Sequence, residues 1–214
     1  MSEASRDAVS SFSAGTFGAT VATGMLRALQ VLDCYLVVEV PPDEVLFIDQ
    51  HALHERILFE QLQARLRAGR LETQRLLIPE TVDLPVGQAA LVLEQQRAFA
   101  ELGLEVEDFG GGTLLLSSYP ALLGGRSPKA VLRVVIDYVL SKERVPSREQ
   151  FLHDLLSLMA CHAAVRAGDH LTREAIVELL AQRQVALNSH HCPHGRPTSI
   201  RFSRHDLERH FKRV

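Results

Sequence analysis

The sequence predicts an α+β fold with two subdomains, one of which is discontinuous in the chain. Short apolar runs bounded by turn residues indicate strands, and longer stretches with helical spacing of apolar residues indicate helices. Residues 25–69 have the pattern of two strands and a helix, and residues 168–214 that of a helix, a loop, a strand and a helix. Residues 70–167 lie between them like an insertion, so we expect them to form the second subdomain.

Turn and cap residues place the elements of the discontinuous part. The run at 25–39 alternates in its second half as a strand does, and the prolines at 41–42 separate it from a second strand at 45–48. A helix with one apolar face starts near Asp49 and ends at Gly69. The later elements are a helix capped by Thr172, an irregular stretch at 188–197, a strand at 199–202 and a helix capped by Ser203.

The inserted part combines a hairpin with helices. Ser147 and Gln150 are spaced as a capping box, and we expect the helix after them to continue to Gly168. The other expected elements are an apolar strip at 74–79 closed by a proline, a helix between Pro85 and Gly103, a hairpin around the glycines at 110–112 and a helix started by Ser127 and Pro128.

Composition and charge exclude several classes of protein. With 46% hydrophobic residues the chain can bury an ordinary globular core, and it has no apolar run of about 18 residues, the length that indicates a membrane-spanning helix. Residues 1–24 lack the basic start and apolar middle of a signal peptide, so we interpret them as a flexible linker. A net charge of −3 argues against a surface that binds nucleic acid everywhere, although the tail at 199–214 is locally basic.

The cysteines are too few and too scattered for a disulfide framework; they are Cys34, Cys161 and Cys192. Free thiols fit a reducing compartment, so we expect a cytoplasmic protein. Apolar neighbours in a strand pattern predict that Cys34 packs in the core. Cys161 lies near the apolar face of its helix, where simple core packing is the alternative to metal binding.

One strand-to-helix corner carries side chains that are compatible with a metal ion. Asp49 ends the strand, and His51 and Glu55 lie four residues apart on one face of the following helix. These three side chains can converge on one ion. The alternative is that Asp49 only caps the helix and that the His/Glu pair is solvated.

A second stretch of this kind lies in the loop at 190–197. Cys192 and His194 are two residues apart, among prolines and a glycine that prevent regular helix or strand. Thiolate and imidazole are zinc ligands, and the alternative is a loop with an incidental Cys and His. The HExxH, GxSxG and P-loop patterns do not occur in the sequence, so no familiar single-motif hydrolase is indicated.

Four motifs follow one another along the chain. They are DQHA followed by two glutamates at 49–60, Ala-Cys-His at 160–162, CPHGRP at 192–197 and Phe-Ser-Arg at 202–204. This combination resembles the C-terminal domain of MutL-family mismatch-repair proteins, in the branch with latent endonuclease activity. The resemblance covers residues 25–214, and DQHA together with CPHGRP is its most specific part.

The resemblance implies metal-dependent hydrolysis that nicks one strand of duplex DNA, with zinc and manganese as the expected ions. The positions that match the family's metal ligands are Asp49, His51, Glu55, Cys161, Cys192 and His194. The first three would also be the catalytic residues. Thiolate and imidazole favour zinc, whereas carboxylates also admit manganese.

The same resemblance suggests phosphate contacts and one departure from the family. Arg196 and Arg204 would contact the scissile or a neighbouring phosphate, and Glu60 matches a motif position of unassigned role. The family usually has Arg after the motif cysteine, whereas this chain has His162. Arg166, one turn further on, is the candidate replacement.

The inserted part contains a further match. Residues 74–79 resemble the short Q-x-h-x-h-P peptide with which bacterial nucleases of this family hold the replication sliding clamp. The segment consists of Gln74, Arg75, Leu76, Leu77, Ile78 and Pro79. An extended apolar strip suits a groove on a partner, and the inserted subdomain would then be regulatory. The alternative is an ordinary edge strand that ends in proline.

Other partners follow from the resemblance alone. They are a second copy of the chain, duplex DNA and, through the full-length protein, the mismatch-recognition protein MutS, in the bacterial cytoplasm near the nucleoid. We place the homodimer interface on the first hairpin and the last helices of the discontinuous, dimerisation subdomain. The alternative function is a non-catalytic dimerisation module whose metal is only structural; a zinc hydrolase of another substrate class has no supporting motif.

Overall fold

A computed structural model describes residues 27–69, 71–124, 127–142, 146–186 and 189–213, so the linker expected at 1–24 lies outside the described residues. Helices and antiparallel sheets occur together, which confirms the α+β class. Among the described residues, 62–163 form one compact unit, the inserted unit, and 27–61 with 164–213 form another, the discontinuous unit. In the described parts of the chain, no helix is long and apolar enough to cross a membrane.

The elements are, in chain order, β1 (Ala28–Val31), β2 (Tyr35–Val40), β3 (Glu44–Asp49), α1 (Gln50–Arg67), β4 (Thr73–Asp83), α2 (Val86–Leu93), α3 (Gln96–Glu101), β5 (Glu105–Gly110), β6 (Thr113–Pro120), a 3-10 turn (Ala121–Leu123), α4 (Pro128–Ser141), α5 (Arg148–Ala163), α6 (Arg173–Val185), β7 (Ser199–Ser203) and α7 (Arg204–His210). The irregular stretch expected before β7 is confirmed over its described part, 189–197. The cap residues expected for α6 and α7 are confirmed as well, since the Thr172 and Ser203 side chains each accept a backbone N–H bond.

An antiparallel sheet with the strand order β1-β2-β3-β7 forms the centre of the discontinuous unit. Side chains alternate across the sheet, so that every second residue of β2 and β3 lies on the buried face. The core joins residues from this sheet, from α1, from the segment after Ala164 and from α6; it includes Leu36, Ile48, Leu53, Val165 and Leu179. This packing holds β3, α1 and the residues around Val165 together, and β3 and α1 carry one part of the candidate site.

The separate strand β1 was not predicted, and the reason is the turn that follows it. Leu32 and Asp33 both have positive φ, and the Cys34 N–H donates to the Val31 carbonyl at 3.2 Å, as in a type I′ hairpin turn. Such turns usually contain Asn or Gly, so Leu-Asp gives little sign of one. The prediction that Cys34 packs in a core strand was therefore wrong, because the residue lies in a turn and is only half-buried.

The inserted unit contains a second antiparallel sheet, with the strand order β4-β6-β5. The predicted hairpin at the glycines is confirmed, and Gly112 has φ +90°. A Cβ atom at this position would lie 2.2 Å from the Leu84 carbonyl oxygen, so only glycine fits the close approach. The single helix expected between Pro85 and Gly103 is instead two helices, and the Gln96 side chain at the start of the second donates to the Val106 carbonyl at 2.8 Å.

Strand β4 has a break in its pairing with β6. Arg75 pairs with Ser118, but the next paired residue, Glu80, faces Leu116. Four residues of β4, 76–79, therefore face a single residue of β6, and they bulge from the sheet edge. The strand does not end at Pro79 but continues to Asp83; a bulge on an edge strand tolerates the missing N–H of proline.

Helix α5 ends earlier than predicted. It stops at Ala163 and not at Gly168, since the backbone of Val165 bonds to histidine side chains, as described below. The predicted capping box is only half formed. The Gln150 N–H donates to Ser147 Oγ at 3.3 Å, but the Gln150 side chain donates to Asp154, which also accepts a hydrogen bond from a tyrosine hydroxyl.

Candidate metal centre

The corner between β3 and α1 contains no loop residue, because β3 ends at Asp49 and α1 begins at Gln50. The Asp49 N–H donates to the Thr198 carbonyl at 2.9 Å, and Asp49 Oδ1 accepts the Ala52 N–H at 3.0 Å. The cap interpretation of Asp49 is thus confirmed. A carboxylate has a second oxygen, so the cap leaves room for the predicted ligand role, which stays a prediction.

The Gln50 side chain, which is fully buried, fastens this corner to two other segments. Its Nε2 lies 2.9 Å from the Asp33 carbonyl and 3.1 Å from those of Arg166 and Asp169. Its Oε1 accepts a hydrogen bond of 2.7 Å from Gln30. Gln50 therefore holds the β1–β2 turn and the segment after Val165 against the start of α1.

His51 is oriented for ligand binding by a backbone contact. Its Nδ1 lies 2.7 Å from the Val165 carbonyl oxygen. A carbonyl can only accept, so Nδ1 carries the proton in the neutral ring and Nε2 keeps its lone pair. A ring nitrogen of His51 also lies within 4.8 Å of a carboxylate oxygen of Glu55, so the predicted pair does share one helix face.

The loop that carries Cys192 and His194 is closed by its own backbone. The Gly195 N–H donates to the Cys192 carbonyl at 2.9 Å, and the Cys192 N–H donates to the Arg196 carbonyl at 2.8 Å. Gly195 has φ +82°, a conformation that other residues rarely adopt. This tight turn directs the thiol and the imidazole toward α1, where both reach Glu55.

Arg56 fastens the same loop to α1. Its guanidinium donates to the carbonyl of His191 and, at 2.9 Å, to that of Cys192. Glu60, one turn further along the helix, lies 3.9 Å from the guanidinium, and both side chains are largely buried. Glu60, whose motif role was unassigned, therefore orients the arginine that holds the loop.

Glu55, Cys192 and His194 form a cluster of ligand-type atoms within 4.8 Å of one another. Ligands of one tetrahedral zinc ion lie roughly 3.5 Å apart, so small side-chain shifts would bring these atoms to that spacing. Glu55 and Cys192 are only 3% and 2% exposed, whereas His194 is open to solvent. One buried carboxylate, one buried thiol and one accessible imidazole make a mixed O/S/N site.

The surroundings of the Glu55 carboxylate indicate whether a cation fits this cluster. Its Oε1 lies 2.8 Å from Nδ1 of His194, but the two groups are not aligned for a hydrogen bond, and no other described residue donates one to this buried oxygen. A buried carboxylate oxygen without a donor is costly unless a cation compensates it. A divalent ion bound with the Cys192 thiolate would compensate it, so the residues fit a metal.

The remaining predicted residues are carried by other elements. Cys161 and His162 are in the last turn of α5, in the inserted unit, and the ligand role of Cys161 stays a prediction. Arg196 is exposed in the same loop, two residues after His194. Arg204 donates to Asp43 at 3.0 Å, near the end of β3 opposite Asp49, which is roughly 17 Å from Asp49 along the strand.

Three residues with roles at this site were missed in the sequence: Gln50, His54 and Arg56. His54 is buried, and its Nδ1 accepts the Val165 N–H at 3.0 Å. The contacts of these side chains bridge more than 100 residues of sequence. All three stand within the motif at 49–60, but a motif does not tell a ligand from a residue that fastens a loop.

These features define an α+β domain with a cluster of metal-ligand-type side chains beside a strand-to-helix corner. The family described as "MutL C terminal dimerisation domain" matches residues 28–171. The chain belongs to this family, as the motifs indicated.

Curated relatives named DNA mismatch repair protein MutL agree with this membership. Those of Geobacter sulfurreducens and Geotalea daltonii are 39% and 38% identical over 171 residues, which is 80% of this chain and 28% and 29% of theirs. That of Phenylobacterium zucineum is 37% identical over 190 residues, or 89% of this chain and 30% of its own. The chain thus spans less than a third of the length of these relatives.

The contacts of Arg56 generate a prediction about metal binding. Replacing Arg56 by Met keeps the apolar stem but removes both donors to the loop, so we expect zinc affinity to fall roughly 10-fold, as for other residues that support ligands. Arg56→Lys should recover only part of the loss, because an ammonium lacks the planar fork.

Competition with a chromogenic chelator measures the affinity. Arg27→Met, at an exposed arginine that pairs with Glu39, is the control; equal affinity of Arg56→Met and wild type would contradict the role.

Proposed function

We propose that this chain is a metal-dependent endonuclease domain that nicks one strand of duplex DNA in mismatch repair. The observation on which the proposal rests is the cluster of Glu55, Cys192 and His194, in which a buried carboxylate oxygen has no hydrogen-bond donor among the described residues. Membership of the MutL family and the mismatch-repair names of the relatives support the substrate. Zinc and manganese are the proposed ions, because the cluster mixes soft and hard ligands.

Each residue of the centre has a distinct part in this proposal. Glu55 and Cys192 contribute negative charge from buried positions, and His51 and His194 contribute neutral nitrogens. When bound, a divalent ion supplies an activated water and neutralises charge on the phosphate. The exposed imidazole of His194 leaves one side of the cluster open, so that a DNA phosphate can approach from solvent.

The phosphate contacts follow from where the arginines lie. Arg196 is exposed in the ligand loop itself and is the proposed partner of the scissile phosphate, with which guanidinium can form two parallel bonds. Arg204 is proposed to contact a phosphate further along the duplex. With a net charge of −3 the chain binds a phosphate backbone weakly by itself, so the proposal includes a partner that brings it to DNA.

Nicking of supercoiled plasmid tests the proposed activity. With manganese and sliding clamp present, we expect Glu55→Gln to lower the nicking rate roughly 100-fold or more, since loss of a metal ligand removes several kcal/mol of transition-state stabilisation. Asp49→Asn, which keeps a cap acceptor, should also lower it. Glu178→Gln, on the exposed side of α6, is the matched control.

The results separate the two functions considered. Equal nicking by wild type and Glu55→Gln would show that the assigned site is wrong. Zinc bound by wild type with no nicking under any condition would support the alternative, a dimerisation module with a structural metal.

The bulge of β4 supports sliding-clamp binding as a second part of the proposal. Leu77 and Ile78 are 103% and 82% exposed, at the tip of a segment that leaves the sheet between Arg75 and Glu80. Two adjacent apolar side chains with no intramolecular packing have no role in the stability of the unit. They lie within the segment that resembles a clamp-binding peptide, where an extended strip can enter a partner's groove.

The clamp proposal predicts a loss of binding without a loss of stability. Leu77→Ser with Ile78→Ser removes about 3 kcal/mol of apolar burial in the complex, or roughly 100-fold in affinity for the clamp. Surface plasmon resonance with immobilised clamp measures the affinity. The melting temperature should not change, since both side chains are exposed in the free protein. Phe109→Ser, at another exposed apolar residue of the inserted unit, is the control, and unchanged clamp binding by the double variant would refute the proposal.

The homodimer is proposed to form on the outer face of the β1-β2-β3-β7 sheet. Pairing places Leu29, Val37, Phe47 and Ile200 in one row across all four strands. Phe47 also makes an edge-to-face contact with Phe202, with ring centroids 5.7 Å apart. Apolar rows of this kind on a solvent-facing sheet mark interaction sites, and the family's description as a dimerisation domain indicates a second copy as the occupant.

A charge on this face should produce monomers. Ile200→Glu would place an unpaired carboxylate in an apolar interface, at a cost of several kcal/mol, but would remain solvated in the monomer because Ile200 is exposed. Sedimentation equilibrium measures the molar mass. Leu91→Glu, at an exposed residue of the inserted unit, is the control, and a dimer of Ile200→Glu as tight as wild type would place the interface elsewhere.

A further inference from the structure

Two histidines of α1 bind the two backbone groups of one residue. The Val165 carbonyl oxygen lies 2.7 Å from Nδ1 of His51, and the Val165 N–H donates to Nδ1 of His54 at 3.0 Å. His51 and His54 lie three residues apart, which places them on the same helix face. His51 belongs to the proposed metal centre, whereas His54 stands at a motif position where the resemblance assigns no role.

The direction of the two hydrogen bonds requires opposite tautomers. An N–H can only donate, so Nδ1 of His54 must be the unprotonated nitrogen of that ring. A carbonyl can only accept, so Nδ1 of His51 must carry the proton. The lone pair of neutral His51 is then on Nε2, the nitrogen left for a metal ion, in the arrangement of a ligand whose other nitrogen bonds a backbone carbonyl.

The N–H of Val165 needs an acceptor that the preceding helix, α5, does not provide. Helix α5 ends at Ala163, so the Val165 N–H lies beyond the helix and bonds to a side chain instead. The Val165 side chain is 6% exposed and packs in the core of the discontinuous unit. A buried N–H without an acceptor is costly, and His54 meets this need while restricting the backbone position of the residue whose carbonyl holds His51.

We propose that His54 is a positioning residue of the metal centre: by holding the Val165 N–H, it fixes the carbonyl that sets the tautomer and orientation of His51. The inference rests on the proposed function only in treating His51 as a metal ligand. His54 itself need not contact the ion. Gln50, the residue before His51, fastens the same segment. Its side chain donates to the carbonyl of Arg166, the residue after Val165.

A pair of substitutions isolates the hydrogen bond of His54. In His54→Asn, the side-chain oxygen lies as many bonds from the backbone as Nδ1 does and can accept the Val165 N–H. His54→Leu keeps the volume but has no acceptor. His205→Leu, at an exposed histidine of α7, is the control for loss of an imidazole in general.

Two measurements decide the proposal. Long-range 1H–15N correlation spectra of the metal-free protein identify the tautomer of each neutral histidine ring, and competition with a chelator gives the zinc affinity. We expect Nδ1–H for His51 and Nε2–H for His54 in wild type. His54→Leu should weaken zinc binding roughly 10-fold and leave His51 a mixture of tautomers, whereas His54→Asn should stay within about 3-fold of wild type.

The outcomes distinguish this inference from the endonuclease proposal. An Nε2–H tautomer for His51 in wild type would overturn the inference, even if His54→Leu fails to fold. Unchanged zinc affinity in a folded His54→Leu would overturn it as well, as would failure of His54→Asn to restore the affinity. Zinc binding that depends on His54 in a protein that does not nick DNA would refute the endonuclease proposal but support the positioning role.

Discussion

The hydrogen bonds of the buried Gln50 amide are the constraint on which the site depends. Strand β3 turns into α1 without a connecting residue, so the first helical residues cannot move without moving the sheet. Gln50 extends this rigidity to the β1–β2 turn at Asp33 and to the carbonyls of Arg166 and Asp169. A buried side-chain amide must have hydrogen-bond partners for its donors and its acceptor. The positions of the three segments relative to one another are therefore fixed. His51, the next residue, therefore points toward Glu55 from a fixed base.

The Cys192 loop lies against the buried Glu55 carboxylate and is fastened to α1 by Arg56. A carboxylate in a dry position is stable only with a cation or donors nearby, and the loop is the segment that provides neighbours. Arg56 holds the loop by its carbonyls, and Gly195 permits the turn that brings His194 within 2.8 Å of the carboxylate. The buried charge and the ligand-type side chains therefore lie in one place, as the proposed metal centre requires.

Two surfaces away from the candidate site expose apolar residues to solvent. Leu77 and Ile78 leave the sheet edge at the β4 bulge, and the row from Leu29 to Ile200 covers the outer sheet face. Both are exposed although each lies beside a well-packed core, so their apolar character is not needed for folding. Regions of this kind are available for partners, and the two surfaces share no residue, so the proposed clamp and the proposed second copy would contact different side chains.

The sequence by itself determined the fold class, most of the element order, the caps at Ser127, Thr172 and Ser203, and the family, because these depend on local periodicity and on motifs. It also identified Glu55, Cys192 and His194 as ligand-type residues. It did not foresee the turn at Leu32 and Asp33, which lacks the usual residues, or the end of α5 at Ala163. Only the tertiary structure decided that Gln50, His54 and Arg56 support the site, because each has a partner more than 100 residues away and a hydrogen bond to a backbone group leaves no mark on the partner's residue type.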